Sequence, residues 1–174
     1  MPNMQQKAAR LLNRVMVVDG ILRYYDLAEC GWKYETAEVM CFQTDIYPEQ
    51  DICYPVPTED DSPDDIPWVA LGKNGMIVFR EAFTWDGASG PTVDTKSSMR
   101  GALIHDGLYQ LMGAGLLDEK WRKRADEILE EWCAKDRMIS WRARTWYFFV
   151  HMFGGGSAKA GRKDPVVDKI HTAP

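Results

Sequence analysis

The chain has 174 residues, 45% of them hydrophobic, which is the size of one domain and allows a real core. Its net charge is −5 and it lacks a long basic stripe, so we predict no nucleic-acid partner, because phosphate binding needs clustered Lys and Arg. No apolar run approaches the ~20 residues of a membrane span, and polar residues interrupt the N-terminus, so the sequence predicts neither a transmembrane segment nor a signal peptide.

The N-terminal 67 residues predict a β-rich segment that begins with a short helix over residues 4–13. The turn dipeptide Asp19-Gly20 lies between two apolar runs and predicts a hairpin. An acidic, proline-rich stretch that ends at residue 67 predicts a solvated loop. The strands predicted in this segment are residues 15–18, 21–25, 32–43 and 52–54.

The next segment opens with the clearest hairpin in the chain. Asn74-Gly75 supplies the left-handed conformations that a tight turn requires, and it joins apolar runs at residues 68–71 and 76–79. Residues 83–85 then predict a strand that leads into the Asp86-Gly87 turn.

Helical spacing replaces strand alternation after Pro91. Asp94 or Thr95 is the predicted cap of a first helix, which the glycines around residue 114 end. Asp118 caps a second helix, and a third runs from about residue 139 to residue 153. The polar tail beyond it is expected to be mobile or bound to a partner.

These patterns predict an α+β fold, in which a small antiparallel sheet from the N-terminal half is followed by a three-helix C-terminal unit. The predicted divisions are an N-terminal β-rich extension with the acidic loop (1–67), a core domain (68–156) and a polar tail (157–174).

Two helical positions on either side of a chain reversal form the candidate catalytic pair. His105 and Asp126 each lie about ten residues from the reversal near residues 113–116, so at ~1.5 Å per residue they reach the same height on antiparallel helices. We therefore predict a hydrogen bond between them, which would fix the imidazole tautomer and leave the other nitrogen as a base. Tyr109 lies one turn from His105 on the same face.

A candidate metal site lies beside this pair. Asp106 is turned about 100° from His105 and offers its carboxylate to the loop that contains Asp86. Gly87 lets a backbone carbonyl approach closely. Oxygen donors of this kind suit Ca²⁺, although another divalent cation is an open alternative.

Residues 68–156 resemble a phage and prophage family of unknown function, domain-of-unknown-function family 1353. That family has a strand, an Asp-x-Ala-Ser-x-Pro loop, a helix with His-Asp-x-Leu-Tyr, an Ala-Asp helix and an aromatic helix that ends in Phe-Gly. The matching residues here are Asp86, Ala88, Ser89, Pro91, His105, Asp106, Leu108, Tyr109, Ala125, Asp126, Phe153 and Gly154. The resemblance implies a phage or prophage origin, and thus the host cytoplasm or a virion as location, but no activity.

The His-Asp-x-x-Tyr motif at residues 105–109 also resembles, more distantly, the calcium-dependent secretory phospholipases, the bacterial ones especially. The resemblance implies that His105 is the base, that Asp126 orients it with support from Tyr109, and that Asp106 and Asp86 bind Ca²⁺. The disulfides and the secretion signal of those enzymes have no counterpart in this sequence.

Two hypotheses of function follow. The first is a metal-dependent hydrolase of a lipid or another cell-envelope substrate, with a phospholipid ester as the first candidate. The second is a non-enzymatic phage protein, either a virion component that binds other virion proteins or a host-interaction module, in which His105 and Asp126 form a structural polar network.

Overall fold

The computed structural model describes residues 2–14, 17–27, 33–62, 64–87, 95–153 and 167–173. It contains two antiparallel sheets and several helices, which lie mainly in the C-terminal half, so the predicted α+β class is confirmed. The helices are α1 (Met4–Leu12), α2 (Met99–Gly113), α3 (Arg122–Lys135, preceded by a 3₁₀ turn at Glu119–Trp121) and α4 (Ser140–Phe153). The strands are β1 (Leu22–Leu27), β2 (Tyr34–Thr36), β3 (Met40–Gln43), β4 (Ile52–Tyr54), β5 (Val69–Leu71), β6 (Met76–Phe79), β7 (Thr84–Trp85) and β8 (Val167–Ala173).

One sheet, in the order β3-β6-β5-β4, lies between two layers of helix. Its side chains alternate between the two faces, as strand geometry requires. In β6, Ile77 and Phe79 belong to the large core that contains apolar residues of α2 and α3, whereas Val78 belongs to a small core under α1. The predicted hairpin at residues 68–79 and the edge strand at residues 52–54 are confirmed. At the turn of this hairpin only Gly75 is left-handed (φ 81°), so the prediction is wrong for Asn74.

Helix α1 covers the outer face of this sheet and also holds the acidic loop. Lys7 Nζ lies 2.6 Å from Oδ2 of Asp61, and Arg10 donates hydrogen bonds to the carbonyls of Ser62 and Asp65. The prediction of a solvated loop is therefore wrong for Asp61, whose side chain is largely covered, because a buried lysine supplies its counter-charge.

The second sheet has the order β7-β2-β1-β8. In β1, Leu22 and Tyr24 face the core, where Tyr24 packs edge-on against Trp85 of β7. The tail returns to this sheet, since Val167–Ala173 pairs antiparallel with β1. The expectation of a mobile or partner-bound tail is therefore wrong for these residues, because β1 offers them an unpaired edge. The proposed division into three segments stays a prediction.

The hairpin predicted around Asp19-Gly20 is half wrong. Leu22–Leu27 is a strand, but residues 17 and 18 are not, and residues 15 and 16 lie outside the described ranges. The backbone at this turn is used instead as an anchor: Asp19 N–H donates to the carbonyl of Cys41, and Arg100 of α2 donates to the carbonyls of Asp19 and Gly20. The strand predicted at residues 32–43 is likewise divided into β2 and β3, which belong to different sheets.

The C-terminal helices begin and end close to where the sequence predicts. Helix α2 starts at Met99, one turn after the predicted cap Thr95, because Thr95 and Ser98 form a hydrogen-bonded turn of their own first. The other predicted cap, Asp94, lies outside the described residues. Asp118 caps the 3₁₀ turn before α3 through Lys120 N–H, as predicted. None of the described helices is long and apolar enough to cross a membrane.

Candidate active site

The site depends on an unusually close approach of α2 and α3. A Cβ atom at Gly101 would lie 3.0 Å from the backbone oxygen of Leu129 and 3.3 Å from Sγ of Cys133. Only a glycine lets the two helix backbones come this near without rearrangement. His105 lies one turn after Gly101 on α2 and therefore faces α3 at the position of Asp126.

The predicted hydrogen bond between His105 and Asp126 is confirmed. Nε2 of His105 lies 3.0 Å from Oδ1 of Asp126, and the same oxygen accepts a 2.7 Å hydrogen bond from the hydroxyl of Tyr109. Nε of Arg122 donates to the Tyr109 hydroxyl at 3.3 Å. Asp126 is fully buried and His105 is 4% exposed, so the interaction is not a surface ion pair.

This network sets the protonation of its members. Burial and the hydrogen bond to Asp126 raise the pKa of Tyr109, so its hydroxyl is a donor at neutral pH. Burial disfavours the charged form of His105, but the carboxylates of Asp106 and Asp126 favour it more strongly, and the pKa of His105 lies above its ordinary value. In the neutral ring, Nε2–H donates to Asp126 and Nδ1 keeps its lone pair.

The second ring nitrogen of His105 faces Asp106, one of the predicted metal ligands. Nδ1 of His105 lies 3.5 Å from Oδ1 of Asp106, which is too long for a strong hydrogen bond. Oδ2 of Asp106 accepts a 3.3 Å hydrogen bond from the backbone N–H of Asp86. The Asp106 side chain is 20% exposed, so solvent reaches the site from this side.

The predicted metal ligands Asp86, Gly87 and Asp106 thus lie in one region, but a complete cage is not formed by the described residues. Among these residues, no group of three or more His, Cys, Asp or Glu side chains could hold a metal ion. Gly87 has a left-handed backbone (φ 72°), which any other residue adopts only with strain. Ser89 and Pro91 of the predicted loop lie outside the described residues.

The described chain also has a surface groove away from His105. Its volume is about 340 Å³ and Trp132 forms part of its wall. Arg124, which also lines it, binds Asp45, Glu127 and Glu131 with its guanidinium. Because the Arg124 guanidinium is already paired with these carboxylates, it is not available to bind an anionic ligand in the groove.

Two supporting residues were missed in the sequence. Arg122 lies on α3 one turn before Asp126, and its Nε donates to the Tyr109 hydroxyl on the neighbouring helix. Gly101 carried no signal beyond a glycine within a helical pattern, which is a position that often marks close packing.

Comparisons of this chain with family models, curated proteins and solved structures find no significant match. The resemblances to the phage family and to the phospholipases therefore stay predictions.

Proposed function

We propose that this protein is a hydrolase in which His105 activates water for attack on an ester or amide bond. The observation that carries the proposal is the hydrogen-bonded chain of Arg122, Tyr109, Asp126 and His105. This chain holds Nε2 of His105 in a hydrogen bond to Asp126. The other ring nitrogen, Nδ1, faces Asp106, whose side chain is partly exposed to solvent. A general base needs such an oriented imidazole with one nitrogen available.

Each step of the reaction has a group in this network. Nδ1 of His105 takes a proton from water, and the resulting hydroxide attacks the carbonyl carbon of the substrate. Asp126 stabilises the imidazolium that forms, because its Oδ1 accepts the Nε2 hydrogen bond. The imidazolium then returns its proton to the leaving alkoxide or amine as the tetrahedral intermediate collapses, which restores the neutral base.

The oxygen groups of the predicted metal site fit Ca²⁺ in chemical type. The carboxylates of Asp106 and Asp86 and the carbonyl of Gly87 are the hard oxygen ligands that this ion takes, and water would complete its coordination. A bound ion would supply polarisation of the substrate carbonyl. The Asp106 carboxyl beside Nδ1 raises the pKa of His105 and so favours the protonated ring between the two proton transfers.

The proposal is tested by product formation from mixed phospholipids with and without Ca²⁺, because a phospholipid ester is the first substrate class suggested by the His-Asp-x-x-Tyr motif. We expect His105→Ala to abolish turnover and Asp106→Asn to weaken its dependence on Ca²⁺. Asp60→Asn is the matched control, since Asp60 is an exposed carboxylate on the acidic loop far along the chain. A folded wild-type sample without product from any lipid, ester or peptidoglycan substrate would refute the proposal.

A second candidate function is favoured by the burial of the pair. Asp126 is fully buried, His105 is nearly so, and each imidazole nitrogen has a carboxylate neighbour. A buried polar network whose members are all paired can have a purely structural role, in which it specifies the fold and takes no part in chemistry. In that case the protein is a non-enzymatic virion or host-interaction protein, and it should copurify with virions in fixed stoichiometry.

A further inference from the structure

Helix α4 presents large apolar side chains to solvent. Trp141 is 69% exposed and Phe148 is 58% exposed, and Ile139, just before the helix, is also exposed. At 100° per residue, Trp141 and Phe148 are only about 20° apart around the helix axis. Ala143 lies nearly opposite them and is buried, so the helix packs on the protein with one face and turns an aromatic face outward.

The polar residues between these aromatics are basic or internally bonded. Arg144 is exposed and lies within about 60° of Trp141 around the axis. Thr145, on the same face, donates its hydroxyl to the backbone oxygen of Trp141 at 2.7 Å. The outward face therefore combines aromatic rings with a guanidinium and carries no acid.

The sequence around this face differs in charge from the rest of the chain. The 27 residues from Arg137 to Lys163 contain no Asp or Glu, and their Lys and Arg are Arg137, Arg142, Arg144, Lys159, Arg162 and Lys163. The whole chain nevertheless has a net charge of −5. This asymmetry favours an anionic partner at α4 and disfavours one elsewhere on the surface.

We infer that the α4 face formed by Trp141, Arg144 and Phe148 binds the surface of an anionic lipid bilayer. Tryptophan and phenylalanine side chains enter the boundary between headgroups and acyl chains, and arginine on the flank pairs with lipid phosphates. Such binding lies in the plane of the interface and needs no membrane-spanning helix. The inference does not depend on catalysis, because the face lies on a different helix from His105 and Asp126.

Sedimentation with vesicles tests this inference on the full chain. Vesicles of phosphatidylcholine alone are compared with vesicles in which part of the lipid is phosphatidylglycerol. We expect the wild type to bind the anionic vesicles more tightly and to bind them more weakly, but still measurably, at high salt, where charges are screened and the aromatic side chains supply the remaining affinity. Arg144→Glu changes the charge of the face by two units and should weaken binding by roughly tenfold or more. The double change Trp141→Ala and Phe148→Ala should weaken binding at both salt concentrations.

Matched controls distinguish binding by this face from non-specific effects of net charge or of exposed aromatic rings. Arg14→Glu reverses an exposed arginine just after α1, and Tyr47→Ala removes an exposed aromatic ring on the loop after β3. Both variants should bind as the wild type does. His105→Ala should also keep full vesicle binding, so a failure of the proposed chemistry leaves this result unaffected. Circular dichroism verifies that each variant is folded.

Three outcomes would overturn the inference. The wild type could fail to prefer anionic vesicles, or the α4 variants could bind as well as the controls. The α4 variants could instead convert a dimer of the wild type into monomers, measured by light scattering, in which case a second copy of the chain covers the face.

Discussion

Asp126 accepts two hydrogen bonds on one buried oxygen, and the consequences of changing it differ between the two candidate functions. Asp126→Asn keeps the size of the side chain but presents either an amide oxygen or an N–H₂ to the imidazole, so the tautomer of His105 is no longer fixed. If His105 is a general base, activity should fall by several orders of magnitude, by analogy with triad carboxylates, and stability should change little. Hydrolysis rates and urea unfolding of the same sample measure both effects.

The structural alternative gives the opposite result for the same substitution. A buried network that only specifies the fold should lose about 1–3 kcal/mol of unfolding free energy when a charged acceptor is replaced, with no activity to lose. Asp60→Asn again serves as the control, because its exposed carboxylate should affect neither quantity. A small change in both activity and stability would contradict both candidates and leave the buried hydrogen bond without a role.

The raised pKa of His105 predicts opposite pH trends for stability and activity. In the folded chain the two carboxylates favour the imidazolium, so its contribution to stability is fully present below the unfolded pKa of about 6.5 and is lost as pH rises through the higher folded value. The general base is the neutral ring, so activity should rise over that same interval. An NMR titration of the His105 ring, with unfolding measured at about pH 6 and about pH 9, tests the pair of trends. A folded pKa below 6.5 would contradict this prediction.

At the scale of elements, α2 and α3 end in the same hydrogen-bonded motif, but the left-handed residue of the motif is a glycine after α2 and an arginine after α3. After α2, Gly115 N–H binds the oxygen of Met112 and Leu116 N–H binds that of Leu111; after α3, Arg137 N–H and Met138 N–H make the equivalent bonds. Both Gly115 (φ 69°) and Arg137 (φ 64°) are left-handed. Glycine adopts this conformation without strain and arginine does not.

Arg137→Gly should therefore stabilise the protein, and Gly115→Ala should destabilise it. The backbone strain of a non-glycine residue is roughly 1–2 kcal/mol, and the greater freedom of glycine in the unfolded chain offsets part of it. We expect changes of about 0.5–1 kcal/mol in opposite directions, measured by urea unfolding. A Cβ at Gly115 would meet no atom within 4 Å, so a loss there reports on the backbone alone. A stabilising Gly115→Ala would contradict the argument.

Helix α2 also approaches β6 closely at the residue after Asp106. A methyl group on Gly107 would lie 2.6 Å from Cζ of Phe79, whose ring is fully buried. Alanine favours the helix by about 1 kcal/mol, but overpacking of a core costs about 1–3 kcal/mol. We expect Gly107→Ala to lower the unfolding free energy, and to lower it less when Phe79→Leu has removed the far edge of the ring. Equal losses in the two backgrounds would show that Phe79 is not the cause.

The sequence predicts those elements whose determinants are local. The β5–β6 hairpin follows from the local turn sequence, with Gly75 left-handed (φ 81°) although Asn74 is not. Equal distances from the helix reversal place His105 beside Asp126. The start of α2 was predicted one turn early because Ser98 makes no side-chain cap to the helix and instead closes a turn with Thr95. The contact between Arg122 and Tyr109 was missed because i,i+4 spacing within α3 gives no information about residues on α2.

At the scale of the whole molecule, the unpredicted features are contacts between distant parts of the chain. Strand β8 pairs with β1, and nothing local in residues 167–173 specifies that edge. Similarly, Arg100 binds both Asp136 after α3 and the backbone at Asp19, and so ties the first loop to the helical unit. Such pairings depend on which edges and charges the rest of the fold leaves available, and this information is not periodic in the sequence.

Three buried cysteines can report, through their reaction with a thiol reagent, on when each of the two cores opens. Cys41 and Cys53 belong to the small core between α1 and the sheet, whereas Cys133 belongs to the large core. Burial raises the pKa of the thiols to about 12, about 11 and about 12, respectively, so none of them should react with iodoacetamide in the native state. Cys30 lies outside the described residues, and the experiment uses a Cys30→Ser chain.

In that chain we expect Cys41 and Cys53 to become reactive at lower urea concentration than Cys133. Both lie under the nine-residue α1, which can separate from the sheet as one local unit, whereas Cys133 is held between α2 and α3 and is exposed only when the main core opens. Leu11→Ala removes a fully buried contact of α1 and should raise the labelling of Cys41 and Cys53 further, without a comparable change at Cys133. Mass spectrometry of peptides after short labelling pulses resolves the three sites. Simultaneous labelling of all three at every urea concentration would mean that α1 and the helical unit open together, and that the two cores form one cooperative structure.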